Sequence, residues 1–252
     1  MKKLSLVLLG ALTITQVAQA APGAFDGFYL GGRLGWSQRN VKTDFPAIEW
    51  TPHIKDSAIS SSKKSRGLTY GLYGGYGQNN NGFYWGAELS IENDIANRGV
   101  THDIEVKNRG VVTKEFPTKL QTKYHRGTIF GITPRVGAVV ANTNLFYVKL
   151  GMEFSEDDVE YHHEWKRVNA AGAVVNTGQS KKSKESKNQF VFVPGFGYER
   201  AFGNLLARFE YGYNFGAKIK TPNLVTDAMT KNTPVNFKYS AHVLKFGLAY
   251  KF

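Results

Sequence analysis

Phe190-Val191-Phe192-Val193-Pro194-Gly195-Phe196-Gly197-Tyr198-Glu199, followed by Ala201-Phe202-Gly203-Asn204 and then Leu205 to Phe215, is the stretch on which the fold turns. In its first part Phe190, Phe192, Pro194, Phe196 and Tyr198 alternate with Val191, Val193, Gly195, Gly197 and Glu199. In its last part Leu205, Ala207, Phe209, Tyr211, Tyr213 and Phe215 alternate with Arg208, Glu210, Gly212 and Asn214. A period of two is the mark of a β-strand, whose successive side chains point to opposite faces. Gly203 and Asn204 between the two runs supply turn chemistry, so the pair reads as an antiparallel hairpin.

Six more segments repeat the alternation. Phe28, Leu30, Leu34 and Trp36 share a face opposed by Tyr29, Gly31, Arg33 and Gly35. Leu68, Tyr70, Leu72 and Tyr76 oppose Thr69, Gly71, Tyr73 and Gly75; Phe83, Trp85, Leu89 and Ile91 oppose Tyr84, Gly86, Glu88 and Glu92. Phe130, Ile132, Pro134 and Val136 oppose Gly131, Thr133 and Arg135, while Phe146, Val148, Leu150 and Phe154 oppose Tyr147, Lys149 and Glu153. The last segment sets Leu244, Phe246, Leu248, Tyr250 and Phe252 against Lys245, Gly247, Ala249 and Lys251. The sequence thus predicts eight strands, each with one apolar, aromatic face and one face of glycine mixed with charge.

That division excludes an ordinary soluble sandwich or barrel, which buries its large apolar side chains and wets its polar ones. In a bilayer the inverted arrangement is stable: apolar side chains face lipid, polar ones face the interior, and closure leaves no strand edge with unsatisfied backbone groups. The expected fold is therefore all-β, an eight-stranded antiparallel transmembrane barrel. Its interior would bring Arg33, Arg135, Lys149, Arg208 and Lys245 against Glu88, Glu92, Glu153, Glu199 and Glu210. Unpaired buried charge is costly, so a mixed-sign interior reads as a salt-bridged plug.

The connections alternate in length. Gln78–Gly82, Ala141–Asn144 and Ala201–Asn204 are short and rich in turn residues, whereas 38–66, 93–123, 155–188 and 216–237 are long. Short periplasmic turns and long extracellular loops fit such a barrel, and an even strand number places both termini in the periplasm. Two long connections contain strand-like patches: Ile104 to Val112, with an Asn108-Arg109-Gly110 turn, and Glu164 to Val175, with Ala171-Gly172 near its middle. Both read as hairpins extending the wall beyond the membrane. A ten-stranded barrel is the competing count, but these patches lack an aromatic outward face.

The beginning of the chain sets the compartment. Lys2 and Lys3 precede an apolar run, Leu4 to Leu12, and Val17-Ala18-Gln19-Ala20 presents small residues at both positions that a signal peptidase reads. Residues 1–20 are thus expected to be a signal peptide cleaved between Ala20 and Ala21, with residues 21–252 forming the barrel. The apolar run is too short to span a bilayer as a helix. With no cysteine in the chain, disulfides cannot hold the exported domain, leaving the backbone ladder and packing. Removing Lys2 and Lys3 takes the formal charge from +12 to +10.

Three stretches carry a family likeness. Gly27-Phe28-Tyr29-Leu30-Gly31-Gly32-Arg33-Leu34-Gly35-Trp36 resembles the first strand of small outer-membrane β-barrel surface proteins, a group including the transmembrane domain of outer-membrane protein A and the opacity proteins. Arg208-Phe209-Glu210-Tyr211-Gly212-Tyr213 is similar to their seventh strand, and Val243 to Phe252 to their last. Unlike outer-membrane protein A, this chain is expected to be a barrel alone, without a peptidoglycan-binding domain. The resemblance implies the fold and an outer-membrane location. It also implies that Phe246, Tyr250 and terminal Phe252 act as the signal read by the barrel-assembly machinery. One barrel type hosts many roles, so it implies function only loosely.

The aromatics near strand ends, Trp36, Tyr70, Phe83, Trp85, Tyr198, Tyr213 and Phe215, read as interfacial girdles. Lys63, Lys64, Arg66, Lys107, Arg109, Lys181, Lys182 and Lys184, with Lys218 and Lys220, make the long connections basic. They are candidates for contact with anions, either lipopolysaccharide phosphates or host-surface glycans and proteins, against the simpler reading of a solvated surface. Nucleic acid is excluded by the expected location and by the lack of a recognition module. His162-His163 lies among acidic residues, but neighbours on a strand point apart, so no metal or cofactor is assigned. Ser240 and His242 share an outward face without an assignable carboxylate, and His102-Asp103 stands alone, so no catalytic set is assigned. The expected function is a structural, surface-interaction role through basic extracellular loops. The alternatives are a small channel through the lumen and an outer-leaflet lipid-modifying enzyme.

Overall fold

The computed structural model describes residues 23–45, 49–51, 54–55, 59–94, 102–105, 116–168, 174–216, 218–221 and 235–252. The expected signal peptide and its Ala20–Ala21 junction lie outside them. Eight strands form the wall: β1 (Gly27–Phe45), β2 (Ile59–Asn80), β3 (Phe83–Asp94), β4 (Phe116–Val140), β5 (Asn144–Val168), β6 (Val174–Phe202), β7 (Leu205–Asn214) and β8 (Val235–Lys251). Each pairs antiparallel with its neighbours in sequence, and β1 closes on β8 through sixteen residue pairs from Tyr29↔Lys251 to Asp44↔Asn236. The sheet has become an eight-stranded barrel.

Side chains follow the inverted pattern. Leu34, Leu72 and Leu89 are more than 60 % exposed on the outer wall, while Arg135, Arg208, Glu199 and Glu210 inside are 1 % exposed. Only a hydrocarbon surround makes the outer face stable. At one end Phe28, Tyr76, Phe83, Trp85, Tyr198, Tyr250 and Phe252 ring the barrel; at the other lie Trp36, Tyr70, Tyr213 and Phe215. From Phe28 to Trp36 is eight residues, which at about 3.3 Å per residue and about 40° of tilt gives about 20 Å of height, near that of an apolar band.

At the first end the strands are joined by tight turns. Asn81 and Gly82 both have positive φ (53° and 92°), the twist-matched geometry of a two-residue hairpin. Ala141 and Asn142 (50° and 57°) turn β4 into β5, and Gly203 (61°) turns β6 into β7.

At the other end the wall is taller than the alternation suggested. Much of 38–66 and 155–188, read from sequence as loop, is strand: β1 and β2 stay paired to Phe45↔Ile59, and β5 and β6 to Val168↔Val174. Above the membrane the outward face of a strand turns polar, so the apolar outward signal stops although the ladder continues. The described ends of the Glu164–Val175 patch thus carry the β5–β6 ladder up to Val168↔Val174. Ile104 pairs with Leu120, so His102–Glu105 lies along β4; residues 106–115, with the expected turn at Asn108, Arg109 and Gly110, lie outside the described residues.

β3 and β7 stop early, at Asp94 and Asn214. Among the described residues the pairing above them runs in two sets, β8–β1–β2 flanked by Lys218–Thr221 and β4–β5–β6 flanked by His102–Glu105.

Candidate functional site

Two regions could hold a function, the lumen and the outward face of the tall sheets. In the lumen, Arg135 Nη1 lies 3.2 Å from a Glu199 oxygen, and its Nη2 donates to the hydroxyls of Tyr29 (2.5 Å) and Tyr84 (2.8 Å). Its guanidinium also sits 4.9 Å from the Tyr147 ring centroid. Arg208 stands 2.7 Å from Glu199 and pairs with Glu88, stacked 4.3 Å over Tyr73. Glu88 accepts from Arg33 at 2.8 Å, and Arg33 also pairs with Glu92. Lys245 Nζ is 2.7 Å from Glu92 and 3.7 Å from Glu153. Arg126 continues the file to Glu153 (3.0 Å) and Asp157 (3.9 Å). Lys149 and the Tyr147 hydroxyl both reach Glu210 at 2.6 Å.

All ten charged residues expected inside the barrel fall within this network. Four more, Arg39 with Asp94 and Arg126 with Asp157, extend it toward the tall sheets. Seven cations (Arg33, Arg39, Arg126, Arg135, Lys149, Arg208 and Lys245) thus face seven carboxylates (Glu88, Glu92, Asp94, Glu153, Asp157, Glu199 and Glu210). Alternating signs give Arg33, Glu88, Glu92, Arg126, Glu153, Glu199, Arg208 and Lys245 two partners of opposite charge each, the kind of compensation under which such burial is tolerable. Just beyond the membrane edge, burial pushes the Asp157 carboxyl above its ordinary range, against the pull of Arg126.

Apolar clusters cap the network at both ends. Tyr29, Tyr73, Tyr84, Leu145, Tyr147 and Leu206 pack at the turn end; Val41, Tyr124, Val159, Ile219, Phe237 and Tyr239 pack on the inward side of the tall sheets. Lumenal glycines make room for these rings: the Cβ of any residue replacing Gly197 would come 2.9 Å from Tyr147 Cε2. Between the clusters, Arg33, Lys149, Glu153, Glu210 and Lys245 surround a void of about 10 Å³, room for one water at most.

The outward face above the apolar band differs between the two sheets. On β4–β5–β6 the charges are interleaved. Lys184 lies 2.7 Å from Asp158 and stands opposite Glu160, and Lys182 pairs in register with His162. The hydrogen bond to Asp158 holds the Lys184 ammonium above its ordinary pKa.

On β8–β1–β2 the balance is gone. Lys218, Lys238 and Lys42 are directly opposite one another across three adjacent strands, all exposed. Lys64 and Arg66 on β2 and Lys220 on the flanking strand share that outward face, with Asp44 the carboxylate among them in the described residues. Asp44 accepts from Ser60 (2.7 Å) and lies 3.4 Å from Lys42; the serine hydrogen bond holds its carboxyl below the ordinary value. Like charges directly opposite on a sheet are destabilising, so a three-lysine row costs stability while it is empty. Arg66 stacks over Trp36 at 6.0 Å, at the membrane edge.

Of the basic residues expected to meet anions, Lys64 and Arg66 belong to this wall, and Lys63 stands opposite buried Val41 on the inward parity. Lys182 and Lys184 are exposed on the balanced sheet, where Lys181 also lies in register; Lys107 and Arg109 are outside the described residues. Lys42 and Lys238 escaped notice because only the register brings them beside Lys218. Outward His242 is held through Nδ1 by the Tyr211 hydroxyl at 2.7 Å and touched edge-on by the Tyr213 ring. Phe246, Tyr250 and Phe252 are all more than half exposed on the lipid-facing side of β8.

Residues 4–252 match the family model described as the outer membrane protein beta-barrel domain. No curated protein sequence matches the chain. Among solved structures, the attachment invasion locus protein Ail of Yersinia pestis is 14 % identical, with 90 % of this chain and 99 % of that one covered at a TM-score of 0.37. Ail has also been solved with the heparin analogue sucrose octasulfate, at 12 % identity, 90 % and 99 % coverage and a TM-score of 0.34. Neisserial surface protein A is 12 % identical (90 % and 98 % covered, TM-score 0.37), and the Escherichia coli outer membrane protease OmpT 8 % (93 % and 99 %, TM-score 0.45). These likenesses are of architecture, and no function is transferred through them.

Proposed function

The chain belongs to the outer membrane protein beta-barrel domain family, and on that footing we propose that it is a closed surface barrel whose work is contact with anionic ligands through its basic outer wall. Residues 1–20 serve as the export signal, cleaved after Ala20. The turn end faces the periplasm, the tall sheets face outward from the cell, and Phe246, Tyr250 and Phe252 are read by the assembly machinery. The observation that carries the reading is the row Lys218–Lys238–Lys42, three like charges held side by side on a wall with few acids. A sulfate- or phosphate-bearing glycan relieves that repulsion by binding. The lumen supports the same reading from the other side, since its charges are mutually compensated and the void between Arg33, Lys149, Glu153, Glu210 and Lys245 is about 10 Å³. Catalysis is not part of the proposal: His242 is engaged by Tyr211 rather than by a carboxylate and a nucleophile.

The test is retention of the refolded barrel on immobilised heparin. Wild-type protein is expected to bind at low salt and elute as screening shortens the reach of its charges. The Lys42→Gln/Lys218→Gln/Lys238→Gln variant should elute at clearly lower salt. Identical elution of the two proteins removes the wall from the account.

A further inference from the structure

The bulge in β4 shapes the outer wall on the side away from the basic face. At Gly127 the backbone closes on β5 so tightly that a Cβ there would come 2.4 Å from the Glu156 carbonyl oxygen. The outward side at this point is an open hollow of about 650 Å³ at the membrane edge. Its floor is Phe130 and Phe154, the last outward apolar side chains of β4 and β5, with Phe190 packed on Phe154 at 4.7 Å between centroids. Glu156, Asp158 and Asn188 stand at its rim. Asp158 is engaged by Lys184 and Ser186, whereas Glu156 is exposed and makes no ion pair among the described residues. A carboxylate beside aromatic rings is the chemistry that receives a guanidinium.

A guanidinium stands at the same level on the other side of the barrel. Arg66 follows Leu68, the last outward apolar residue of β2, and is laid over Trp36 at 6.0 Å. β1 and β5 are four strands apart either way round the wall, so knob and hollow look in opposite directions. Below them the relief is reversed. Outward Gly32 leaves an apolar hollow of about 690 Å³ between Leu34, Tyr70 and Leu72, while Phe154, Phe190 and Phe192 stand out as packed rings. We infer that the occupant of the hollow beside Glu156 is Arg66 of a second copy of this chain, so that barrels line up head to tail in the membrane plane. Copies in one membrane share their upward direction and differ only by rotation about its normal. A two-fold dimer sets like on like, wall on wall or hollow on hollow. The unrotated neighbour brings opposite charges together at equal height, and repeating that contact gives an open row. The inference rests on the wall as a face that takes anions, and it names an anion that the protein itself carries.

The chain has no cysteine, so one introduced thiol is unique. Gln38 stands directly opposite Arg66, and Asn188 directly opposite Glu156. Gln38→Cys and Asn188→Cys barrels, one of them tagged to separate the products, are refolded together in phosphatidylcholine vesicles and treated with a short bis-maleimide. The mixed product is expected to exceed both like-with-like products severalfold. Adding Arg66→Glu to the Gln38→Cys barrel should lower the mixed product about tenfold, because like charges set against each other across a contact are costly. Adding Glu156→Arg to its Asn188→Cys partner should then restore it, which a misfolded barrel could not do; gel mobility confirms folding of each variant. Equal yields of the three products, an excess of either like-with-like product, or a loss that the second reversal does not restore overturns the inference. If heparin retention depends on the lysine row while no mixed product accumulates, the row of barrels falls and the anion-binding reading of the wall stands. If neither is seen, both fall.

Discussion

Replacing Glu88 by glutamine tests what holds the lumen closed. The Glu88 side chain is 1 % exposed and bridges Arg33, 5 % exposed, to Arg208, 0 % exposed. Glutamine keeps the shape and still accepts hydrogen bonds, but it removes one of seven carboxylates that balance seven cations, leaving an uncompensated positive charge in a dry interior. Breaking one partner out of a buried pair costs about 3–5 kcal/mol. Each arginine keeps a second carboxylate, Glu92 for Arg33 and Glu199 for Arg208, so the lower end, about 3 kcal/mol, is expected. Urea titration of the barrel folded in phospholipid vesicles, followed by the gel mobility of folded and unfolded forms, measures it. Adding Arg33→Gln restores the balance of charge and should recover part of the loss, with a coupling of about 1–3 kcal/mol. A single-variant loss below about 1 kcal/mol would refute the view that these pairs are desolvated and mutually dependent.

Further outcomes follow from the backbone. Ala141 holds a φ of 50°, a region costly for a residue with a Cβ, so Ala141→Gly should leave the barrel unchanged or up to about 1 kcal/mol more stable in the same titration; a loss would show that the turn is not strained. β4 carries a bulge between Arg126, opposite Asp157, and Ile129, opposite Ser155, three steps against two. Deleting Thr128 makes the ladder regular while keeping Arg126 and Ile129 both inward, so the shortened chain should still fold to the heat-modifiable form. Failure to fold would mean that the bulge itself is required.

How far the sequence could be read depends on what surrounds each strand. Within the membrane, lipid and lumen make opposite demands on alternate residues, so Phe190–Tyr198 or Leu244–Phe252 announces both its strand and its faces. Beyond the membrane edge the outward face turns polar and the signal fades, which hid the upper halves of β1, β2, β5 and β6. Arg39, Asp94 and Asp157 were within reach: they continue the inward parity of Arg33, Glu88 and Glu153 by a few residues. Arg126 was not, because the bulge at Gly127 and Thr128 makes even-numbered Tyr124 and Arg126 face inward on a strand whose later inward residues are Gly131, Thr133 and Arg135. The lysine row was hidden for another reason. Lys218 already stood out with Lys220, but Lys42 and Lys238 are unremarkable surface residues in sequence, and only strand register makes the three one feature. The same register shows that the more conspicuous cluster Lys181, Lys182 and Lys184 lies across from acids and histidines.

The claim at the centre of the account is that the interior is a sealed structural plug and the outer wall is where the protein meets its ligands. Conductance of the refolded barrel in a planar lipid bilayer tests it most directly. A sealed lumen predicts no stepwise current in the wild-type protein across the ordinary range of applied voltage, with folding confirmed by gel mobility. Reproducible unitary currents that change when Glu88 or Arg135 is neutralised would contradict it and place the function inside the barrel.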